Sequence, residues 1–176
     1  MVRFVQSAGE PGVTEATSVE NVLRILDVLE KAGVPASIGG GWGIDALVGR
    51  QTRPHSDIDL CVPAEQSDAA AGALAALGFE MTVDERPTRF VMAGVGLGSI
   101  DLHPLRFLAD GTARLAAPDG SEYVFPVGSL DAHGTIGGRS VRCFTPEQQL
   151  AAHSGYDHAE DDIWDLGLLR EIEPDR

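Results

Sequence analysis

The sequence has no apolar run approaching the roughly 20 residues that a bilayer-spanning helix needs, so a membrane-embedded chain is not expected. Cysteine is scarce: Cys61 and Cys143 are the only two, each inside an apolar, strand-like run, and they form no CxxC pair. A cysteine-ligated zinc or redox motif is thereby excluded, and both thiols are expected to be free and buried. Lysine occurs once, as Lys31, and acidic residues outnumber basic ones 27 to 13, for a formal charge of −14. A chain so charged lacks the basic surface that a nucleic-acid backbone demands. It would draw a cationic small molecule by long-range attraction; a merely solubilising acidic surface is the alternative. The opening MVRFVQSAGEPG holds one arginine and no long apolar region, unlike a secretory signal. The chain is expected to be cytoplasmic, with residues 1–16 as a flexible tail.

What is present is the make-up of an ordinary globular protein. The 176 residues are 43% apolar and 23% charged, which suits one domain spanning 1–176. Thr17 and Glu20 fit a capping box ahead of Val19, Val22, Leu23, Leu26 and Leu29 at helical spacing. Gly33 and Pro35 end that helix. Pro35–Ile38 reads as a short strand, Trp42–Val48 as a short helix and Asp57–Val62 as a strand with polar and apolar residues alternating. Pro63 opens an alanine-rich helix that Gly78 closes. Strands follow at Phe79–Val83, Arg89–Ala93 and Ser99–Leu105, with an Asp110-Gly111 turn between further short ones. A strand at Ser140–Phe144 precedes Thr145-Pro146-Glu147-Gln148, a second helix start with proline at its first position. Helices at 146–155 and 158–172 complete a C-terminal helix pair within 145–172. The reading is α+β: a mixed sheet flanked by helices, with a small helical C-terminal part.

Chemistry concentrates in GGGWGIDALVGRQTRPHSDIDL, Gly39 to Leu60. Residues i and i+2 of a strand share a face about 7 Å apart, so Asp57 and Asp59 project together while Ile58 and Leu60 point inward. Paired carboxylates repel unless a cation sits between them, and magnesium accepts carboxylate and phosphate oxygens together. An isolated Asp-x-Asp is more often an ordinary strand with its polar residues outward. Here Gly39, Gly40 and Gly41 end a strand and begin a helix, so their amides can approach a polyphosphate closely. Arg50, Arg53 and His55 follow and can meet remaining phosphate charge. Bare backbone, cationic groups and paired acids within one stretch point to a nucleotide and a divalent ion together. A third acid is needed for two-metal chemistry or for taking a proton from a hydroxyl. Ser99-Ile100-Asp101-Leu102-His103 alternates with Asp101 and His103 outward, and a strand neighbouring Asp57–Val62 would bring Asp101 to the pair. Asp84 and Asp110 are rivals in loop-like contexts, and Asp101 is favoured over both.

These residues resemble the nucleotidyltransferase superfamily, with its glycine turn followed by an Asp-x-Asp strand. The nearer likeness is to the small antibiotic nucleotidyltransferases, the aminoglycoside 2″-adenylyltransferase and lincosamide nucleotidyltransferase group. It rests on GGGWGIDALVGRQTRPHSDIDL, on IDLHP and on EQQLAAHSGYDHAEDDIWDL. It covers most of residues 18–172, but the segment Arg106–Gly138 takes no part in it. The resemblance implies that Asp57 and Asp59 hold Mg2+, with Asp101 as a further ligand, the general base, or both. It also implies that Gly39, Gly40 and Gly41 line the triphosphate, assisted by Arg53 and His55. The implied reaction moves a nucleoside monophosphate, AMP from ATP first, onto a hydroxyl of a small antibiotic-like acceptor and releases pyrophosphate. The acidic charge tilts the expected acceptor towards an aminoglycoside over a lincosamide.

Other features carry two readings. Trp42 and Ile44 belong either to a nucleotide pocket or to the core, and Asp45 is expected to cap or orient the glycine loop. Tyr156, Asp157, Glu160, Asp161 and Asp162 form an acidic patch suited to a polyamine sugar; a solvated helix start explains it too. His133, His153 and His158 lack metal-ligand spacing and are taken as structural. Gly41-x-Gly43-x-x-Ala46 matches a dinucleotide fingerprint, but the helix is too short and the acids begin the next strand instead of ending it. A non-catalytic, antitoxin-type binding domain is the remaining alternative, as is a non-antibiotic acceptor; three surviving acids favour catalysis.

Overall fold

The computed structural model describes residues 16–154 and 157–172. In chain order the elements are α1 (Val19–Lys31), β1 (Ser37–Ile38), α2 (Gly40–Val48), β2 (Asp57–Pro63), a 3-10 turn (Ala64–Gln66) and α3 (Ser67–Ala75). Then come β3 (Glu80–Glu85), β4 (Arg89–Gly94), β5 (Gly98–Phe107), β6 (Ala113–Ala116) and β7 (Glu122–Phe125). The chain closes with β8 (Ala132–Ile136), β9 (Arg139–Cys143), α4 (Pro146–Ala152) and α5 (Glu160–Ile172). The expected α+β class holds.

The strands form one mixed sheet in the order β3-β4-β5-β2-β1-β9-β8, extended by β6 on β5 and β7 on β6. The two central strands, β2 and β5, run parallel, and every residue of β2 is buried. Such burial departs from the ordinary half-exposed strand that an isolated Asp-x-Asp would suggest. On one face, Ile58, Leu60, Ile100 and Leu102 pack with Val22, Ile25 and Leu29 of α1 and with Ala70 and Leu74 of α3. Burying each large aliphatic side chain is worth about 1.5–3 kcal/mol, so this layer dominates the fold's stability. On the other face, Cys61 and Leu105 enter a second cluster with Leu115, Phe125, Leu130 and Phe144. Asp57 and Asp59 precede Cys61 on that face, and Asp101 and His103 precede Leu105. Asp57, Asp59 and Asp101 therefore line the sheet where this second core gives out.

Several boundaries differ from the sequence reading for local reasons. The cap of α1 is Ser18, whose side chain accepts from the Asn21 amide at 3.1 Å; Thr17 is instead fully buried, and its amide donates to the His55 carbonyl. Pro63 ends β2 rather than opening a helix. Thr145 caps α4 as expected, accepting from the Gln148 amide, but α4 stops at Ala152. Both cysteines are free and buried. The proposed tail, residues 1–16, lies outside the described residues except for Ala16, and Tyr156 lies outside them too. Among the described residues no helix is long and apolar enough to cross a membrane. The dinucleotide fingerprint falls because β1 and β2 run antiparallel, so no parallel β-α-β unit surrounds it.

Candidate active site

Strand register assembles the acids. In the parallel β2–β5 pair, Asp59 stands opposite Asp101, Asp57 opposite Ser99 and Cys61 opposite His103. Neighbouring strands lie about 4.8 Å apart, so Asp59 and Asp101 present carboxylates side by side. Asp57 and Asp59 are each 6% exposed, Asp101 and His103 1%. The His103 Nε2 lies 3.3 Å from Asp59 Oδ1 and 3.7 Å from Asp101 Oδ1. Asp57 sits one pleat away and accepts from Ser56 Oγ at 3.3 Å. The rivals Asp84 and Asp110 are surface groups, the first clamped by Arg86 and the second by Thr112.

The glycine run has distinct steric duties. Gly39 caps α2, with the Phe144 ring where its side chain would go. Gly40 adopts φ +55°, and an added β-carbon would collide with Asp59 Oδ2. At Gly41 a β-carbon would strike the His55 ring and approach Arg53 NH2 to 2.9 Å. The first-turn amides of α2 have no acceptor within the helix, so the bare elbow carries donors beside the acids. The amide of Gln149 in α4 braces it from behind, Nε2 donating to the Gly40 carbonyl at 3.3 Å.

The segment after α2 is held from two sides. Asp45 accepts from the Thr52 amide and hydroxyl through Oδ1 and meets His55 Nε2 at 2.5 Å through Oδ2. It therefore orients the Thr52–His55 segment, not the glycines. His55 lies against Trp42, ring centroids 4.9 Å apart; both are buried, as is Ile44. Arg53 forms a two-pronged bond with Asp165 of α5 at 3.1 and 2.6 Å and reaches Asp161 at 3.3 Å. Arg50 is exposed. Asp157 and Glu160 are exposed near the start of α5, while Asp162 lies 3.9 Å from His153 Nε2.

Two participants carried no role in the sequence reading. Arg89 of β4 donates to Asp101 Oδ2 at 2.9 Å and to Glu85. His103 lies on the face that the alternation predicts, and its partners there are Asp59 and Asp101. Burial pushes the Asp101 carboxyl above the ordinary carboxylate range; His103 and Arg89 oppose this and Asp59 adds to it. Burial works to lower the His103 imidazole, but Asp59 and Asp101 outweigh it and the ring's pKa is raised.

The residues present fit a divalent cation. Asp101 Oδ1 is buried and accepts no hydrogen bond. Asp59, Asp101 and His103 each offer a ligand atom, all within 4.8 Å of one another.

Comparison with known proteins gives the family. Residues 21–169 match the aminoglycoside-2″-adenylyltransferase family. The chain belongs to that family. It is a nucleotidyltransferase, and its fold is the nucleotidyltransferase mixed sheet flanked by helices. A lincosamide resistance protein of Staphylococcus haemolyticus is 34% identical over 153 residues, covering 87% of this chain and 94% of the relative. The crystal structure of the lincosamide antibiotic adenylyltransferase LnuA with lincomycin bound superposes with a TM-score of 0.82 at 32% identity, covering 90% of this chain and 99% of that one. The crystal structure of ANT(2″)-Ia in complex with adenylyl-2″-tobramycin gives 0.67 at 26% identity, covering 89% and 92%. Family membership and the intact acids together disfavour a purely binding, non-catalytic domain.

Proposed function

We propose that this nucleotidyltransferase moves AMP from ATP to a hydroxyl of a small antibiotic, with Mg2+ as its cation. The observation that carries the reading is the Asp59–Asp101 register beside a glycine elbow whose β-carbons are excluded by Asp59 and His55. Asp57 and Asp59 hold the cation, which neutralises triphosphate charge. The first-turn amides of Gly40 and Gly41, after Gly39, donate to phosphate oxygens. Arg53 and His55 stand beside Gly41, where the guanidinium adds positive charge and the imidazole a hydrogen bond. Asp101, a further ligand, also takes the proton of the acceptor hydroxyl, a role that its burial-raised pKa favours. The hydroxyl oxygen attacks the α-phosphorus, the bond to the bridging oxygen of the β-phosphate breaks, and pyrophosphate leaves. Asp157 and Glu160, with Tyr156, are the proposed acceptor contacts.

The match along 94% of a lincosamide resistance protein, at 34% identity, supports a lincosamide as the first acceptor to try, ahead of the aminoglycoside suggested by charge. The test is mass spectrometry of a panel of lincosamides and aminoglycosides incubated with the protein, ATP and Mg2+. One adenylylated member supports the reading. No adenylylated member, with ATP left intact, counts against an antibiotic acceptor.

A further inference from the structure

One carboxylate oxygen at the centre is engaged by a guanidinium and another is turned to the glycine elbow. Asp59 Oδ2 fills the space against the Gly40 Cα, and Asp101 Oδ2 is held by Arg89 at 2.9 Å. Each acid thus turns its Oδ1 towards the same corner, and His103 Nε2 turns there too, at 3.3 and 3.7 Å from those oxygens. Cis ligands around a six-coordinate ion with bonds of about 2.1 Å lie about 3 Å apart, so these separations need only a small contraction. Asp101 Oδ1, buried without a hydrogen bond, is the atom that a cation would satisfy.

We propose that the divalent ion in this corner is bound by the His103 Nε2 nitrogen together with Asp59 Oδ1 and Asp101 Oδ1. The inference rests on the cation-dependent reading above and changes its donor set at this corner: the His103 nitrogen takes the place given there to Asp57, leaving two carboxylate oxygens and one nitrogen. Mg2+ is a hard ion that takes oxygen ligands, whereas imidazole suits first-row transition ions. The corner therefore binds Mn2+ more tightly than Mg2+, and His103 sets that preference. Spacing within β5 and register between β5 and β2 together build this arrangement. Asp101 and His103 are i and i+2 on β5, and the parallel register puts Asp59 beside the first of them.

The test uses the whole protein and Mn2+ itself. Pulsed electron paramagnetic resonance of the Mn2+-loaded protein is expected to show a directly bonded ¹⁴N nucleus. That signal is replaced by a ¹⁵N pattern when the histidines are ¹⁵N-labelled, and is absent from folded His103→Gln. By titration calorimetry His103→Gln weakens Mn2+ at least about 10-fold, the lower end of what losing even a supporting partner of a metal ligand costs, and Mg2+ by less. Should His103→Gln fail to fold, His55→Gln supplies the control, because it must keep the nitrogen signal. Mn2+ bound without any nitrogen coupling overturns the proposal and leaves the cation reading standing, with His103 only a hydrogen-bond partner of Asp59. Mn2+ that fails to bind, or binds Asp59→Asn equally well, overturns both.

Discussion

The Asp59 carboxylate occupies the space in which Gly40 would otherwise carry a side chain. The glycine run and the acidic pair are thus two halves of one object, joined by contact across the β1–α2 elbow. Gly40→Ala must both displace Asp59 and accept a left-handed backbone, which costs about 1–2 kcal/mol for a residue with a β-carbon. Calorimetry is expected to show a melting temperature lower by about 2–8 °C, and turnover is expected to fall at least about 100-fold, the scale of one lost charge-stabilising contact. A variant with full turnover would separate the elbow from the acids.

Arg53 and Asp165 form the clearest long-range tie between the site and the C-terminal helices. Asp165 is 2% exposed, so Arg53→Leu strands a buried carboxylate. Losing one partner of a buried pair costs about 3–5 kcal/mol; because the Arg53 side chain keeps some solvent contact, about 2–3 kcal/mol is expected in urea titration. The double substitution Arg53→Leu with Asp165→Leu should recover most of that stability. ATP affinity should remain weak in it, since the guanidinium that flanks Gly41 is gone. Stability left untouched by Arg53→Leu would show that the clamp contributes nothing to α5 docking.

Asp101→Asn is expected to slow the chemical step by about 10²–10⁴, the usual worth of a general base, while changing the ATP dissociation constant less than tenfold. Single-turnover kinetics separates the two quantities. A change in ATP affinity alone would remove Asp101 from the proton-transfer role. The same substitution bears on stability. Burial raises the Asp101 pKa in the folded protein, so its contribution favours folding at low pH and is lost as pH rises through the folded pKa. The cation-free wild-type protein should therefore gain from mild acidification through this group, and Asp101→Asn should lack that increment.

The two thiols should be silent in the native state. Burial, with Asp59 and Asp101 nearby, holds the Cys61 thiol well above its usual range, and burial pushes Cys143 up to about 11. A disulfide reagent at pH 8 is expected to modify neither cysteine until denaturant is added, and then both. Rapid native labelling of Cys61 would mean that the acid-bearing face of β2 opens.

The two-residue periodicity of Asp57-Ile58-Asp59 and Ile100-Asp101-Leu102 was enough to choose the sheet face and to prefer Asp101 over Asp84. What that pattern does not encode is register between distant strands. Hence nothing local marks the Arg89 guanidinium as reaching across to Asp101. His103 was on the right face but without a role, because its partner Asp59 is 44 residues away. The Arg53–Asp165 clamp spans 112 residues and pairs a loop with a helix whose acids read locally as a solvated face. Asp45 was misassigned for a similar reason: its partners, Thr52 and His55, lie beyond the helix end, where chain geometry is set by tertiary contact.

The central claim is that Asp59 and Asp101 form the cation-holding centre of a nucleotidyl transfer. The most direct check is pyrophosphate release from ATP with Mg2+ and lincomycin, measured side by side for the wild-type protein and a folded Asp59→Asn variant. Acceptor-dependent release by the wild type that vanishes in Asp59→Asn is the predicted result. Equal release by both proteins, with unchanged Mg2+ dependence, would contradict it.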